Sequence, residues 1–197
     1  MCNPDSVMEK TKPIICVFCG SSHGSNPRYA AAAREFGTLL AKHGFSLVFG
    51  GGYVGLMGEM AHAARLGGAK VTGILPEFLR HLEPPSAEEE NVILTPDLQE
   101  RKRLMLSLAD AFAVLPGGLG TLDEFFEIVT SAQLQVLAKP IVLLNLDGFF
   151  DPLERLLTHV ATEGFAQRNI AKLYHLAPTP EQAMAWVNEK LGRAPRR

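Results

Sequence analysis

The sequence predicts an α/β fold of three layers, a mainly parallel sheet with helices on both faces. Short apolar runs alternate with segments whose apolar residues recur every three or four positions, the pattern of strands and amphipathic helices in turn. Glycines cluster where the apolar runs end. The 197 residues, 47% of them hydrophobic, supply enough apolar material for one core, so a single domain is expected over 1–197, with Met1 to Lys12 and Arg193 to Arg197 as loose tails.

Ile14 to Cys19 reads as the first strand, and it ends in Gly20-Ser21-Ser22-His23-Gly24-Ser25-Asn26-Pro27, a loop whose glycines and hydroxyls can line a site. A helix is expected from Pro27 to His43, with Ala30, Ala33, Phe36, Leu40 and Ala41 on its apolar face and Gly44 as its stop. Phe45 to Phe49 is the next strand and runs into Gly50-Gly51-Gly52. Gly55 to Leu66 reads as a helix closed by Gly67-Gly68, and Lys70 to Leu75 as a strand ended by Pro76. From Pro76 to Pro96 the rhythm breaks into a long loop with a short strand at Asn91 to Thr95. Beyond it come a helix from Asp97 to Leu108, a strand from Ala111 to Leu115, and a long amphipathic helix from Thr121 to Leu137. The chain then gives a strand from Ile141 to Leu146, a helix from Pro152 to Glu163, a short strand from Leu173 to Leu176 and a helix from Glu181 to Leu191.

Nineteen Lys plus Arg against twenty-one Asp plus Glu give a formal net charge of −2, which argues against nucleic acid as a partner. No apolar run approaches the ~20 residues of a membrane span, and the polar N-terminus is unlike a signal peptide, so no membrane association and a cytoplasmic location are expected. Three cysteines, Cys2, Cys16 and Cys19, are too few and too clustered for a disulfide framework. Cys16 and Cys19 form a C-x-x-C, open to a redox or zinc role, but on a strand residues three apart face opposite sides and no second pair completes a metal site. No metal and no cofactor is expected.

In an open parallel sheet, ligands bind beyond the carboxyl ends of the strands. Three such ends carry glycine, at Gly20-Ser21-Ser22, Gly50-Gly51-Gly52 and Gly117-Gly118-Leu119-Gly120-Thr121, and they are expected to converge, bringing Ser21, Gly51, Gly52 and Gly117 to one crevice. The third joins a strand directly to a helix, so unpaired backbone N–H groups and a positive helix end face whatever lies there. A phosphate suits it; a plain tight turn is the other reading. No Gly-Lys-Ser/Thr follows, and G-x-G-x-x-G is absent after the first strand, so ATP hydrolysis and nicotinamide chemistry lose their main support.

Glu124 stands three residues after Thr121, the spacing of a capping box. Alternatively it faces something that becomes positive, since a carboxylate beside a bound phosphate is repelled by it; a ribosyl oxocarbenium ion is such a partner. Of Arg101, Lys102 and Arg103, Arg101 shares a helix face with Leu98, Met105 and Leu108, where an arginine must be paired or used for binding.

Pro116-Gly117-Gly118-Leu119-Gly120-Thr121-Leu122-Asp123-Glu124 resembles the PGGxGTxxE signature of the Lonely Guy family of cytokinin riboside 5′-monophosphate phosphoribohydrolases, proteins often labelled lysine decarboxylases. Phe18-Cys19-Gly20-Ser21-Ser22, Gly50-Gly51-Gly52 with Gly55-Leu56-Met57-Gly58, Gly73-Ile74-Leu75-Pro76, Glu100-Arg101-Lys102, and Lys139-Pro140 through Asn145-Leu146-Asp147-Gly148 are similar to the family in order and spacing. The resemblance implies a Rossmann-like fold, a homodimer or larger homo-oligomer, and cleavage of adenine-type nucleoside monophosphates, AMP among them, to free base and ribose 5-phosphate. It implies Arg101 and Glu124 as the catalytic pair. Gly118, Leu119, Gly120, Thr121, Leu122 and Asp123 would hold phosphate and ribose, with Lys102, Thr130 and Glu83 as further substrate contacts. Two other readings remain beside it. One is a non-catalytic purine nucleotide-binding module with Glu124 as a cap. The other is a decarboxylase, which would want a Schiff-base lysine beside the glycine cradle, where the sequence places none. The helix from Thr121 to Leu137 is apolar nearly all round through Phe125, Phe126, Ile128, Val129, Leu134 and Val136, more than one core covers, and part of it is the expected dimer surface.

Overall fold

The computed structural model describes residues 12–80, 91–167 and 169–192. Seven strands form one sheet: β1 (Ile14–Phe18), β2 (Ser46–Phe49), β3 (Val71–Pro76), β4 (Val92–Thr95), β5 (Ala111–Val114), β6 (Ile141–Leu144) and β7 (His175–Ala177). Their spatial order is β4-β3-β2-β1-β5-β6-β7, and every described pairing is parallel. The helices are α1 (Pro27–Lys42), α2 (Gly55–Leu66), α3 (Leu98–Leu108), α4 (Leu119–Gln133), α5 (Asp151–Thr162) and α6 (Pro180–Lys190).

Alternation along the strands sorts the core into two halves. Ile15, Val17 and Cys19 pack with Phe36 and Leu40 of α1, Met60 of α2 and Val187 of α6. Cys16 and Phe18 pack on the other side with Met105 of α3, Phe125 and Ile128 of α4 and Leu157 of α5. This is the three-layer arrangement that the alternation of elements predicts, and it places Cys16 and Cys19 on opposite faces. α1 and α2 approach so closely that a Cβ on Gly37 would overlap the Met60 carbonyl oxygen.

From β1 in the middle of the sheet the chain winds outward to β4, then returns through α3 to lay β5 on the free side of β1. The segments leaving β1 and β5 therefore depart toward opposite layers and open a crevice between them. Gly20 N donates to Pro116 O at 3.0 Å, tying the two loops together at its floor.

Several boundaries differ from expectation. The long helix starts two residues earlier than expected, at Leu119, and stops at Gln133, where Gln135 adopts a positive φ of 60° and turns the chain. The last strand comes later, at His175–Ala177, because a short 3-10 turn occupies Ile170–Lys172. A second such turn, Glu77–Leu79, opens the Pro76 to Pro96 loop. The tails 1–11 and 193–197 and the loop residues 81–90 lie outside the described residues.

Candidate active site

Local capping sets the two helices that matter. Asp97, extended at the start of α3, accepts a hydrogen bond from Glu100 N at 2.8 Å, which begins the helix one turn before Arg101. α4 begins differently. Gly118 is its cap residue, with no side-chain cap, and the first ladder bond runs from Leu122 N to Gly118 O at 3.1 Å. The N–H groups of Leu119, Gly120 and Thr121 therefore precede the intrahelical ladder. Thr121 lies inside the first turn, where its side chain fills the space that a Cβ on Gly117 would need. The capping box expected of Thr121 and Glu124 does not form, because the helix has started by then. Glu124 is free for another use.

Residues from β1, from the loops after β1 and β2, and from α2, α3 and α4 help enclose a cavity of about 270 Å³. Of the candidate residues named from the sequence, Ser21, Arg101, Gly118, Leu119, Gly120, Thr121 and Glu124 line it. A Cβ built on Gly118 or Gly120 meets nothing within 4 Å among the described residues, so the space before them is open to a ligand. Gly51, Gly52, Gly117, Lys102, Leu122, Asp123 and Thr130 are not among the lining residues. Gly51, with φ of 78°, packs instead beneath Leu75 and Gly73. Gly117 makes room for Thr121 and for Gly20, while Asp123 and Thr130 are exposed on α4. Glu83 lies outside the described residues.

At the end of β2 the glycine that serves the cavity is Gly50, because a Cβ there would overlap the Arg101 guanidinium. Its place in the triplet is the sequence signal for it, one residue earlier than expected. Val17, Phe18, Cys19, Met57 and Leu79 add an apolar wall. Met57 sits in the first turn of α2 behind the glycines, a legible position. Leu79 comes from the irregular loop and carries no sequence signal.

Arg101 Nη2 lies 3.2 Å from Glu124 Oε1, and the two side chains are only 14% and 10% exposed. Arg101 Nε is buried with no hydrogen-bond partner among the described residues, an uncommon state for a guanidinium donor. Burial pushes the Glu124 carboxyl up to about 7; Arg101 pulls it down, Asp123 raises it, Lys102 lowers it and Glu127 raises it. Burial likewise raises the Cys19 thiol, leaving it a poor nucleophile. Lys102 turns away to Asp123 Oδ2 at 3.0 Å and Glu127 Oε2 at 2.9 Å. The arrangement can hold an anion at the amino end of α4 and place a carboxylate near neutrality against a guanidinium within the same enclosure.

Residues 57–187 match the family described as "Possible lysine decarboxylase". The chain is also 41% identical over 175 residues to the cytokinin riboside 5′-monophosphate phosphoribohydrolase LOG of Oryza sativa subsp. japonica, covering 89% of this chain and 72% of that one. It belongs to that family. A second member, LOG7 of Arabidopsis thaliana, is 40% identical over 185 residues, 92% of this chain and 85% of the relative. Among solved structures, the molybdenum cofactor carrier protein from Chlamydomonas reinhardtii superposes with a TM-score of 0.72 at 25% identity, over 92% of this chain and 99% of its own. The Rossmann-like, three-layer fold of the Lonely Guy family is the one described above.

Proposed function

We propose that the chain hydrolyses the N-glycosidic bond of cytokinin riboside 5′-monophosphates, releasing the free base and ribose 5-phosphate, with AMP as a further substrate. The observation that carries this is the buried Arg101–Glu124 pair on the wall of the cavity that also holds the open amino end of α4. The named activity of the relatives supports it.

In this reading the 5′-phosphate accepts hydrogen bonds from the N–H groups of Leu119, Gly120 and Thr121, where the helix dipole favours negative charge. That places the ribose over Glu124. As the C1′–N bond breaks, its electron pair leaves with the base and C1′ gains cationic character, which the ionised Glu124 carboxylate stabilises. Water adds its oxygen to C1′ and passes one proton to Glu124, the departing base takes a proton from solvent, and Glu124 returns its proton to solvent before the next turnover. Arg101, charged throughout, keeps Glu124 oriented and offers its unpaired Nε to an oxygen of the substrate. Ser21 faces the same space from the β1 loop, and Glu83 and Thr130 remain proposed contacts of the complete site.

A decarboxylase reading finds no support in the cavity. None of its lining residues among those described is lysine. Lys102, the neighbour of Arg101, is held protonated chiefly by Glu127 at 2.9 Å, with Asp123 assisting, which is the wrong state for a Schiff-base nucleophile.

Among the described residues, no helix is long and apolar enough to cross a membrane, and we place the protein's work in the cytoplasm. We also assign the exposed apolar residues around α4 to a second copy of the chain. Phe125, Ile128 and Val129 are consumed by this chain's own core, which leaves Leu119, Phe126, Leu134 and Val136 outward. A chain that sediments as a monomer at micromolar concentration would remove that assignment.

The substrate reading is tested by offering the purified protein isopentenyladenosine monophosphate and, separately, the nucleoside without its phosphate. Base release from the monophosphate at least about 100-fold faster is expected if the α4 amino end supplies binding and orientation. Equal rates would refute the phosphate assignment.

A further inference from the structure

Three carboxylates crowd one stretch of α4, Asp123, Glu124 and Glu127, and two successive cations of α3 meet them. Arg101 takes Glu124, and Lys102 takes the other two. Lys102 is 11% exposed at its side chain, and does not reach the cavity wall. A substrate contact would have to leave two carboxylates behind, one at 2.9 Å and one at 3.0 Å. A buried ammonium already hydrogen-bonded to Asp123 and ion-paired with Glu127 has little reason to do so.

We propose that Lys102 is a positioning residue: bridging Asp123 and Glu127 from α3, it fixes the α4 turn that carries Glu124 and keeps the negative charge of its two neighbours off the catalytic carboxylate. The groups facing Glu124 are few. Arg101 and Lys102 reach it from α3, Asp123 and Glu127 from its own helix, and the thiols of Cys16 and Cys19, coupled to it electrostatically, from β1 and the loop after it. Of these, Lys102 alone neutralises two others. Without it, Asp123 and Glu127 stand unpaired beside Glu124, which then holds its proton to higher pH and spends less of its time ionised near neutrality.

The test reads Glu124 directly. In protein labelled with carbon-13 at glutamate carboxyls, the Glu124 resonance is assigned by its loss in Glu124→Gln, and its titration midpoint is followed in each variant. In Lys102→Met the midpoint should rise by more than about half a pH unit. In Asp123→Asn/Glu127→Gln, which keeps the cation and removes its two neighbours, it should fall; in the triple variant, which removes all three charges, it should return toward the wild-type value. Lys102→Arg should stay near wild type. Kinetically, Lys102→Met should lower kcat at pH 7 about tenfold or more, with KM changed less than about threefold. An unmoved midpoint in Asp123→Asn/Glu127→Gln overturns the proposal even if Lys102→Met does not fold. So does a KM raised about tenfold or more in Lys102→Met with kcat and the midpoint unmoved, which would make Lys102 a substrate contact. The kinetic arm rests on the proposed hydrolysis. The titration arm does not, so a wild-type protein that released no base would remove that reading and still leave the midpoints to decide this one.

Discussion

Arg101 and Glu124 meet at 3.2 Å inside the crevice between the loops that follow β1 and β5, although they stand on different helices. Glycine at position 50 is what permits the arginine to lie there. The pair is not a surface salt bridge, whose contribution would be small; both partners are largely out of water, and the carboxyl is pushed up to about 7.

The first prediction concerns turnover against pH. If ionised Glu124 stabilises the sugar cation, kcat falls as pH drops through about 7, tenfold per unit once well below that value. Measuring kcat between pH 5 and pH 9 locates this limb, and a profile flat down to pH 5 would show that the carboxylate is not used.

A second prediction concerns stability. Folded Glu124 holds its proton to about 7 against an ordinary value of 4.5, so between those values the folded state binds more proton than the unfolded one and stability falls as pH rises. The contribution is fully present below about pH 4.5 and lost as pH passes about 7, on the order of 3 kcal/mol across the window. Urea unfolding at pH 5 and pH 8 should show this loss in the wild type and its absence in Glu124→Gln, whatever constant offset the variant carries.

Two glycines of the site should respond in opposite ways. Gly50→Ala puts a methyl group into the Arg101 guanidinium, so the arginine must move and kcat should fall about 10–100-fold. Gly118→Ala meets nothing within 4 Å in the protein, so folding stability should stay within about 0.5 kcal/mol while KM for the monophosphate rises, because the added carbon occupies ligand space. Thermal melts and steady-state kinetics on both variants separate the effects.

Gly37→Ala tests the scaffold away from the site. Its Cβ would overlap the backbone carbonyl of Met60, which cannot swing aside as a side chain can, so the α1–α2 contact must open. A loss of about 2 kcal/mol or more is expected in chemical denaturation, with the KM of the remaining folded protein unchanged.

Much of this is legible in the sequence alone. Strand and helix alternation is written in a period of two giving way to one near 3.6, and it located β1 through β6 to within a residue or two. The glycine turn before α4 was legible for the same kind of reason, since a strand feeding a helix through Gly117-Gly118 has few alternative uses. What was misread depends on atoms distant in sequence. Thr121 and Glu124 have the spacing of a cap, yet α4 begins at Leu119 and uses Gly118 as its boundary, so that spacing carries no capping. Gly51 and Gly52 looked equivalent to Gly50 until the position of Arg101, fifty-one residues on, distinguished them. The resemblance offers Lys102 as a substrate contact, and only the packing of α3 on α4 shows it buried between Asp123 and Glu127. Leu79 enters from a loop without periodicity, where sequence pattern has no purchase.

The measurement that tests the central claim most directly is chromatographic detection of free base after incubation of the purified chain with isopentenyladenosine monophosphate or AMP, with Glu124→Gln in parallel. The wild type should release base and ribose 5-phosphate in equal amounts, and the variant, still folded and still binding nucleotide, should be slower by at least about 100-fold. Base released at the same rate by the variant, or by neither protein while both bind AMP, would contradict the assignment of Glu124 and leave a nucleotide-binding module in its place.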